Sequence, residues 1–193
     1  KIDDKLHFII GDVSDKGVPA ALFMAKAITL YTRALKDKLK PGQTFTMMND
    51  ILAQNNDACM FVTALCGTLN LTNGSIQMAN AGHMNPILKN TEGTMEHEVN
   101  GGTALGLMEG SDYTDIDFKL TNSTSLIMYT DGISEAHDTN NNQYTDEKLI
   151  NLISETEVTN SKQLGDKIIE SVEDFAAGAE QFDDITLMII HYA

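Results

Sequence analysis

Three apolar segments of this chain run straight into or out of an aspartate. Ile9-Ile10-Gly11 leads to Asp12, Ile127-Met128-Tyr129-Thr130 leads to Asp131-Gly132, and Asp183-Asp184 opens Ile185-Thr186. Short apolar runs of this kind read as buried strands, so each carboxylate stands at a strand end. If those strands are neighbours in one sheet or in two packed sheets, their ends converge and bring like charges close together. Such a cluster repels itself and raises its own pKa values. A hard divalent cation removes the conflict, because Mg2+ and Mn2+ prefer oxygen ligands and keep most of their water. For any one site alone the plainer reading is a turn, since Asp before Gly bonds its own backbone. Three such sites in one chain favour metal chemistry.

Other chemistries fail on spacing. The segment Gly11 to Gly17 lacks the Gly-Lys-Ser/Thr ending of a phosphate loop, and Gly101, Gly102 and Gly106 miss the dinucleotide fingerprint. No nucleophile elbow surrounds Ser14, and neither His-Glu-x-x-His nor paired-cysteine zinc spacing occurs. Asn80-Ala81-Gly82-His83 is ambiguous, because a lone histidine beside glycine is more often packed or capping than a ligand. The 10 methionines read as core filler.

The elements that position the aspartates follow from periodicity. Leu6 to Val13 reads as a strand and Ser14 to Gly17 as a turn. Val18-Pro19 opens a helix with Ala21, Met24, Ile28, Tyr31, Leu35 and Leu39 on one face, and Pro41-Gly42 ends it. Phe45, Met48 and Leu52 carry a second helix to the break at Asn55-Asn56-Asp57. An antiparallel meander follows: Met60 to Leu71, the hairpin signal Asn73-Gly74, Ser75 to Ala81, and Pro86 to Leu88. Asn90 to Gly102 and Glu109 to Asp117 read as polar and acidic connections. Ser125 to Thr130 is a strand, Asp138 to Gln143 a loop. Two helices come next, around Leu149, Leu152 and Ile153 and through Leu164, Ile168, Val172 and Phe175, before the last strand, Ile185 to Tyr192. Paired helices between β-runs indicate an α+β fold in place of a doubly wound sheet. With no repeat and no linker-like stretch, residues 1–193 are expected to form a single domain. The chain starts only a few residues before a buried strand, so that strand is expected to lack an N-terminal neighbour supplied by a longer protein.

Charge narrows the partners. Thirteen basic against 28 acidic residues give a net charge of -15, and Arg33 is the single arginine. A chain that must neutralise phosphates with clustered Lys and Arg looks different, so neither nucleic acid nor an anionic membrane surface is expected as a partner. No apolar run approaches the roughly 20 residues needed to span a bilayer. Cys59 and Cys66 lack Cys-x-x-Cys spacing, and no basic leader opens the chain, so a cytoplasmic location is expected.

Taken in order, Gly11-Asp12-Val13-Ser14-Asp15-Lys16-Gly17-Val18-Pro19-Ala20-Ala21-Leu22, Ala81-Gly82-His83, Tyr129-Thr130-Asp131-Gly132-Ile133-Ser134-Glu135-Ala136 and Phe182-Asp183-Asp184-Ile185-Thr186 resemble the motifs of the bacterial PPM (PP2C-like) serine phosphatases, in the branch typified by SpoIIE and RsbU. The resemblance implies a PP2C-like α-β-β-α sandwich of two antiparallel sheets flanked by helical pairs, here without its N-terminal strand. It implies two divalent cations, Mn2+ or Mg2+, with Asp12 bridging both, the Val13 carbonyl as a further ligand, Asp131 and Asp183 completing the coordination of the second metal, and Asp184 as an outer or alternative ligand. It implies hydrolysis of a phosphoserine or phosphothreonine by metal-activated water, with no covalent phosphoenzyme. The substrate it implies is a phosphorylated STAS-type anti-anti-sigma protein in a partner-switching pathway. An attached N-terminal sensor or regulatory domain would act on the first two helices.

Two departures stand against the pattern. Asp15 occupies a position that is usually glycine, and a positive φ there would cost an aspartate something. The family's upstream Gly-Gly-Asp motif, which supplies a ligand to the first metal, does not precede Lys1, so an incomplete centre is expected. The competing readings are a catalytically inactive phosphatase-like binding module and a cation-binding domain without phosphatase chemistry.

Overall fold

A computed structural model of the protein describes residues 1–157 and 160–193. In chain order the elements are β1 (Lys5–Val13), α1 (Val18–Lys36), α2 (Pro41–Leu52), β2 (Val62–Asn70), β3 (Ser75–Ala81), β4 (Ile87–Asn90), β5 (Gly93–Glu96), β6 (Gly101–Gly102), β7 (Ile116–Lys119), β8 (Thr124–Tyr129), α3 (Asp131–Ser134), α4 (Asp146–Glu155), α5 (Ser161–Ala176) and β9 (Leu187–Tyr192). They form two compact units, each with its own sheet and helices: Lys1–His83 with Val99–Lys119, and Met84–Glu98 with Leu120–Ala193. The α+β reading holds in both.

The first unit has the strand order β1-β2-β3-β6, with β7 also paired to β3. The β1–β2 ladder runs from Lys5↔Asn70 to Val13↔Val62 without a bulge. Pairing is antiparallel except for β6, which joins β3 in parallel through Asn80↔Gly101 and Ala81↔Gly102. The expected meander therefore stops at β3. Its anticipated third strand, β4, belongs to the other unit, and the polar connection from Asn90 to Gly102 contains β5 and β6.

The first helix buries a face rotated from the one its large residues suggest, with Met24, Tyr31 and Leu35 common to both. Ala20, Ala27, Tyr31 and Ala34 are buried, whereas Ala21 and Ile28 are exposed. Small side chains let the helix lie close to its sheet, and the Tyr31 hydroxyl donates 2.9 Å to the carbonyl of Phe8 in β1. Pro41 does not end this helix. The helix stops at Lys36, Lys38 turns left-handed (φ 57°), and Pro41 takes the first turn of α2, where its missing N–H costs nothing. Phe45, Met48 and Leu52 of α2 are fully buried, and Phe45 meets Tyr113 edge-on at 5.8 Å. Met48, Met78 and Met128 are core filler as expected, but Met95 and Met108 are exposed.

The second unit has the antiparallel order β5-β4-β8-β9, and every residue of β8 is buried. Leu149 and Ile153 of α4 and Leu164, Ile168 and Val172 of α5 pack with Ile87, Ile127 and Tyr129 in one core. The Lys89 ammonium donates to the carbonyls of Ile153 and Ser154, satisfying the end of α4 where the helix dipole is negative. The last strand begins at Leu187, two residues later than its apolar run suggests.

Asn49 of α2 is fully buried, yet its amide spans two backbone groups: Nδ2 donates 2.8 Å to the Met108 carbonyl, and Oδ1 accepts from the Gly106 N–H at 2.9 Å. Asn49→Ala strips both partners and opens a small cavity. It is expected to lower unfolding stability by about 2–4 kcal/mol in urea denaturation. A loss within experimental error would show that the loop pairs elsewhere.

Candidate active site

In the first unit, β1 delivers Asp12 to its C-terminal end, half-buried and opposite Thr63. The two strands are close there: a Cβ on Gly11 would lie 2.6 Å from the Thr63 carbonyl oxygen, so only glycine fits. Val62, the ladder partner of Val13, donates its N–H to Leu105 at 3.0 Å, so that donor does not occupy the Val13 carbonyl. The following turn is tied by the Ser14 N–H to the Phe61 carbonyl and by the Phe61 N–H to the Ser14 hydroxyl, both at 2.9 Å. Asp15 has φ 66°, so the position that is usually glycine is left-handed here and an aspartate bears the strain.

His83 settles into the plainer of its two readings. It is 8% exposed, its Nδ1 lies 3.0 Å from the Thr63 hydroxyl, and Asn80 grips its backbone on both sides, accepting from its N–H at 2.7 Å and donating to its carbonyl at 2.9 Å. It is a packed side chain, and what it packs is the residue across the ladder from Asp12.

In the second unit, β8 ends at Tyr129, and Asp131 begins the short helix α3. The segment before β9 comes alongside through one side chain. The Thr130 hydroxyl donates 3.0 Å to the Asp184 carbonyl and accepts from the Thr186 N–H at 3.0 Å, while the Thr130 N–H reaches the Thr186 carbonyl at 3.1 Å. A Cβ on Gly132 would lie 2.4 Å from the Asp184 carbonyl oxygen and 3.3 Å from that of Asp183. The residues following Asp131 and those of the Asp183-Asp184 pair are thus in backbone contact. The Asp183 carboxylate accepts from the Asp184 N–H at 2.8 Å, and the Gln181 side chain holds the Asp183 carbonyl at 2.8 Å. Asp131 and Asp183 are half-buried; the Asp184 side chain is exposed.

The aspartates beside the strand ends are legible in the sequence, whereas the threonines next to them are not. Thr63 and Thr130 read as ordinary β-branched strand residues, and only the position of Thr130 immediately before Asp131 distinguished it. Among the described residues, no group of three or more His, Cys, Asp or Glu side chains is gathered as a metal cage. The paired Asp131 and Asp183 segments nevertheless fit a hard cation, because Mg2+ is ordinarily held by one or two carboxylates and completes its shell with water.

Comparison with known proteins identifies the family and the fold. Residues 2–193 match the family described as Stage II sporulation protein E (SpoIIE), and the chain belongs to that family. It is 29% identical over 217 residues to Protein IcfG of Synechocystis sp., covering 98% of this chain and 34% of that protein. It is 26% identical over 194 residues to Phosphoserine phosphatase RsbU of Bacillus subtilis, covering 98% of this chain and 56% of that protein. The chain thus spans between about a third and just over half of these relatives' lengths. Its fold is that of PP2C phosphatase domains: the SiaA-PP2C domain of Pseudomonas aeruginosa superposes with a TM-score of 0.83 at 15% identity, over 98% of this chain and 80% of the other. Among the described residues no helix is long and apolar enough to cross a membrane.

The clamp at Thr130 gives a direct test. Thr130→Val keeps the shape but leaves the Asp184 carbonyl and the Thr186 N–H without their partner, and is expected to cost about 1–3 kcal/mol in urea unfolding. Thr130→Ser keeps the hydroxyl and is expected to retain most of that stability. Equal losses in the two variants would assign the effect to packing and not to the hydrogen bonds.

Proposed function

We propose that this chain is the catalytic part of a longer regulatory protein and hydrolyses a phosphoserine or phosphothreonine on another protein. The observation carrying the proposal is the pairing, by one threonine hydroxyl, of two segments that each bear an aspartate at a strand end, in a chain of the SpoIIE family. The reading assigns Asp12, Asp131 and Asp183 as metal ligands, with the Val13 carbonyl and Asp184 as additional oxygen donors. Two divalent cations, Mn2+ or Mg2+, would supply hydroxide at neutral pH and positive charge against the phosphoryl oxygens. The protein's own part is to hold oxygen donors rigidly. Asp12 is fixed by a continuous ladder, and the residues around Asp131 and Asp183 by Thr130 and by the absence of a side chain at Gly132. Water then attacks phosphorus in line, the bond from phosphorus to the seryl oxygen breaks, and the leaving oxygen takes up a proton. No residue becomes phosphorylated.

A phosphorylated STAS-type anti-anti-sigma protein is the substrate this reading favours, in keeping with the likeness to RsbU. Control would come from an N-terminal sensor or regulatory domain through α1, which follows the Asp12 turn directly. The working location is the cytoplasm.

The test is phosphate release from a generic phosphomonoester by the full-length protein, with and without Mn2+. Metal-dependent turnover is expected, and Asp131→Asn is expected to reduce it by at least about 100-fold, the upper end of what losing a ligand's own partner costs. Turnover that survives chelation or Asp131→Asn would overturn the assignment. Absence of turnover at any Mn2+ concentration would favour a phosphatase-like binding module.

A further inference from the structure

Two depressions on the second unit share a ridge beside the aspartates. One, of about 270 Å3, has apolar walls that include Val172, Ala176 and Ile185, and it reaches Gly132, the residue after Asp131. The other, of about 430 Å3, lies against the polar loop at Asp138 and Asn141. The shared ridge is His137 with Phe182, their rings 5.3 Å apart and inclined at 57°, and Phe182 immediately precedes Asp183. Phe182 is 61% exposed, an unusual position for a large aromatic side chain.

The charge around these depressions has one sign. Glu173 borders the first, Asp138 the second and Glu180 both, and no lysine or arginine lines either. Asp138 is held ionised by its surroundings: the Asn142 side chain and N–H and the Asn140 N–H all donate to its carboxylate, which keeps its pKa below the usual range. An apolar slot next to an exposed aromatic face and bordered by carboxylates suits a side chain with an aliphatic stem and a flat cationic head. Arginine has that form, stacking its guanidinium on rings and pairing with carboxylates through a fixed fork.

We infer that the groove around His137 and Phe182, bordered by Glu173 and Glu180, binds an arginine of the phosphoprotein substrate close in sequence to the phosphorylated serine. The inference rests on the phosphatase reading for its choice of substrate, and it adds a reason for substrate choice. Gly132 and Phe182 adjoin the proposed ligands Asp131 and Asp183, so an arginine held here anchors the peptide while its phosphoserine addresses the carboxylates. The phosphate is recognised by cations and the flanking arginine by anions, so one peptide must offer both charges.

The test uses a series of fluorescent phosphoserine peptides in which a single arginine is moved along an otherwise neutral sequence. Binding to the full-length protein is read by fluorescence anisotropy in the presence of a chelator, so that the peptides are not hydrolysed. One or two arginine positions are expected to bind about 5- to 30-fold more tightly than the glutamine counterpart, the combined scale of an exposed cation–π contact and surface ion pairs. Glu173→Gln/Glu180→Gln is expected to abolish that preference while leaving hydrolysis of a generic phosphomonoester unchanged. Phe182→Ala should weaken it in part. Equal binding of all peptides by the unmodified protein overturns the inference, as does a preference untouched by the double variant. Thermal unfolding of each variant separates misfolding from loss of the site. If phosphomonoester hydrolysis is absent but the arginine preference persists and needs both glutamates, the phosphatase reading fails and the groove stands.

Discussion

The second unit turns on one hydroxyl. Thr130 accepts from the N–H of one residue and donates to the carbonyl of another, both on the segment leading into β9, and so holds beside Asp131 a stretch of chain that carries two further carboxylates. Acidic residues do not gather unaided, since proximity without a cation is repulsive. The fold meets that cost with neutral hydrogen bonds between a side-chain hydroxyl and the backbone, which carry no charge of their own. Gly132 makes the same contact possible sterically, because any side chain there would meet the Asp184 carbonyl. The first unit uses a different device: a straight ladder of antiparallel pairs leading to Asp12, buttressed on its partner strand by His83 through Thr63.

How much of this could be read beforehand depended on what kind of signal each feature leaves. The aspartates were visible because an apolar strand ending in Asp-Gly is a local pattern, and their order along the chain carried the family resemblance. The buried face of α1 is rotated from the expected stripe because Ala20, Ala27 and Ala34 share it with Tyr31, and alanines carry little hydropathy signal beside the larger, exposed Ile28. Pro41 was assigned to the wrong helix because proline both follows helices and begins them, and only the early left-handed turn at Lys38 decides between the two. Strand β6 had no periodicity to find, being a pair of glycines laid beside Asn80. Thr130 and Thr63 could not be singled out by type, since their role lies in where a hydroxyl points and not in their strand propensity.

The two units also divide the labour unevenly. In the first, buried amides tie loops to regular elements, Asn49 to helix α2 and Asn80 to strand β3. In the second, aliphatic residues and two tyrosines, Tyr129 and Tyr144, fill the core, and Thr130 and Ser134 bring buried hydroxyls to the end of β8 and to α3. That end carries the aspartates, the exposed ring of Phe182 and the acidic border of the adjoining groove. On the proposed reading, recognition and chemistry would draw on the same few residues of chain, and a change in the path of the segment before β9 would alter both together.

Asn49 has a consequence for how this sequence can drift. Its position demands a donor and an acceptor on one short planar stem, side by side, inside an apolar core. Aspartate has the shape but no donor at neutral pH, leucine has the volume but neither group, and glutamine sets the same amide one carbon too far. Exposed positions on the same helix, such as Asp50, are free to vary. Across descendants of this chain, position 49 should therefore change only when the loop at Gly106 to Met108 changes with it, so the two sites are inherited as a single unit.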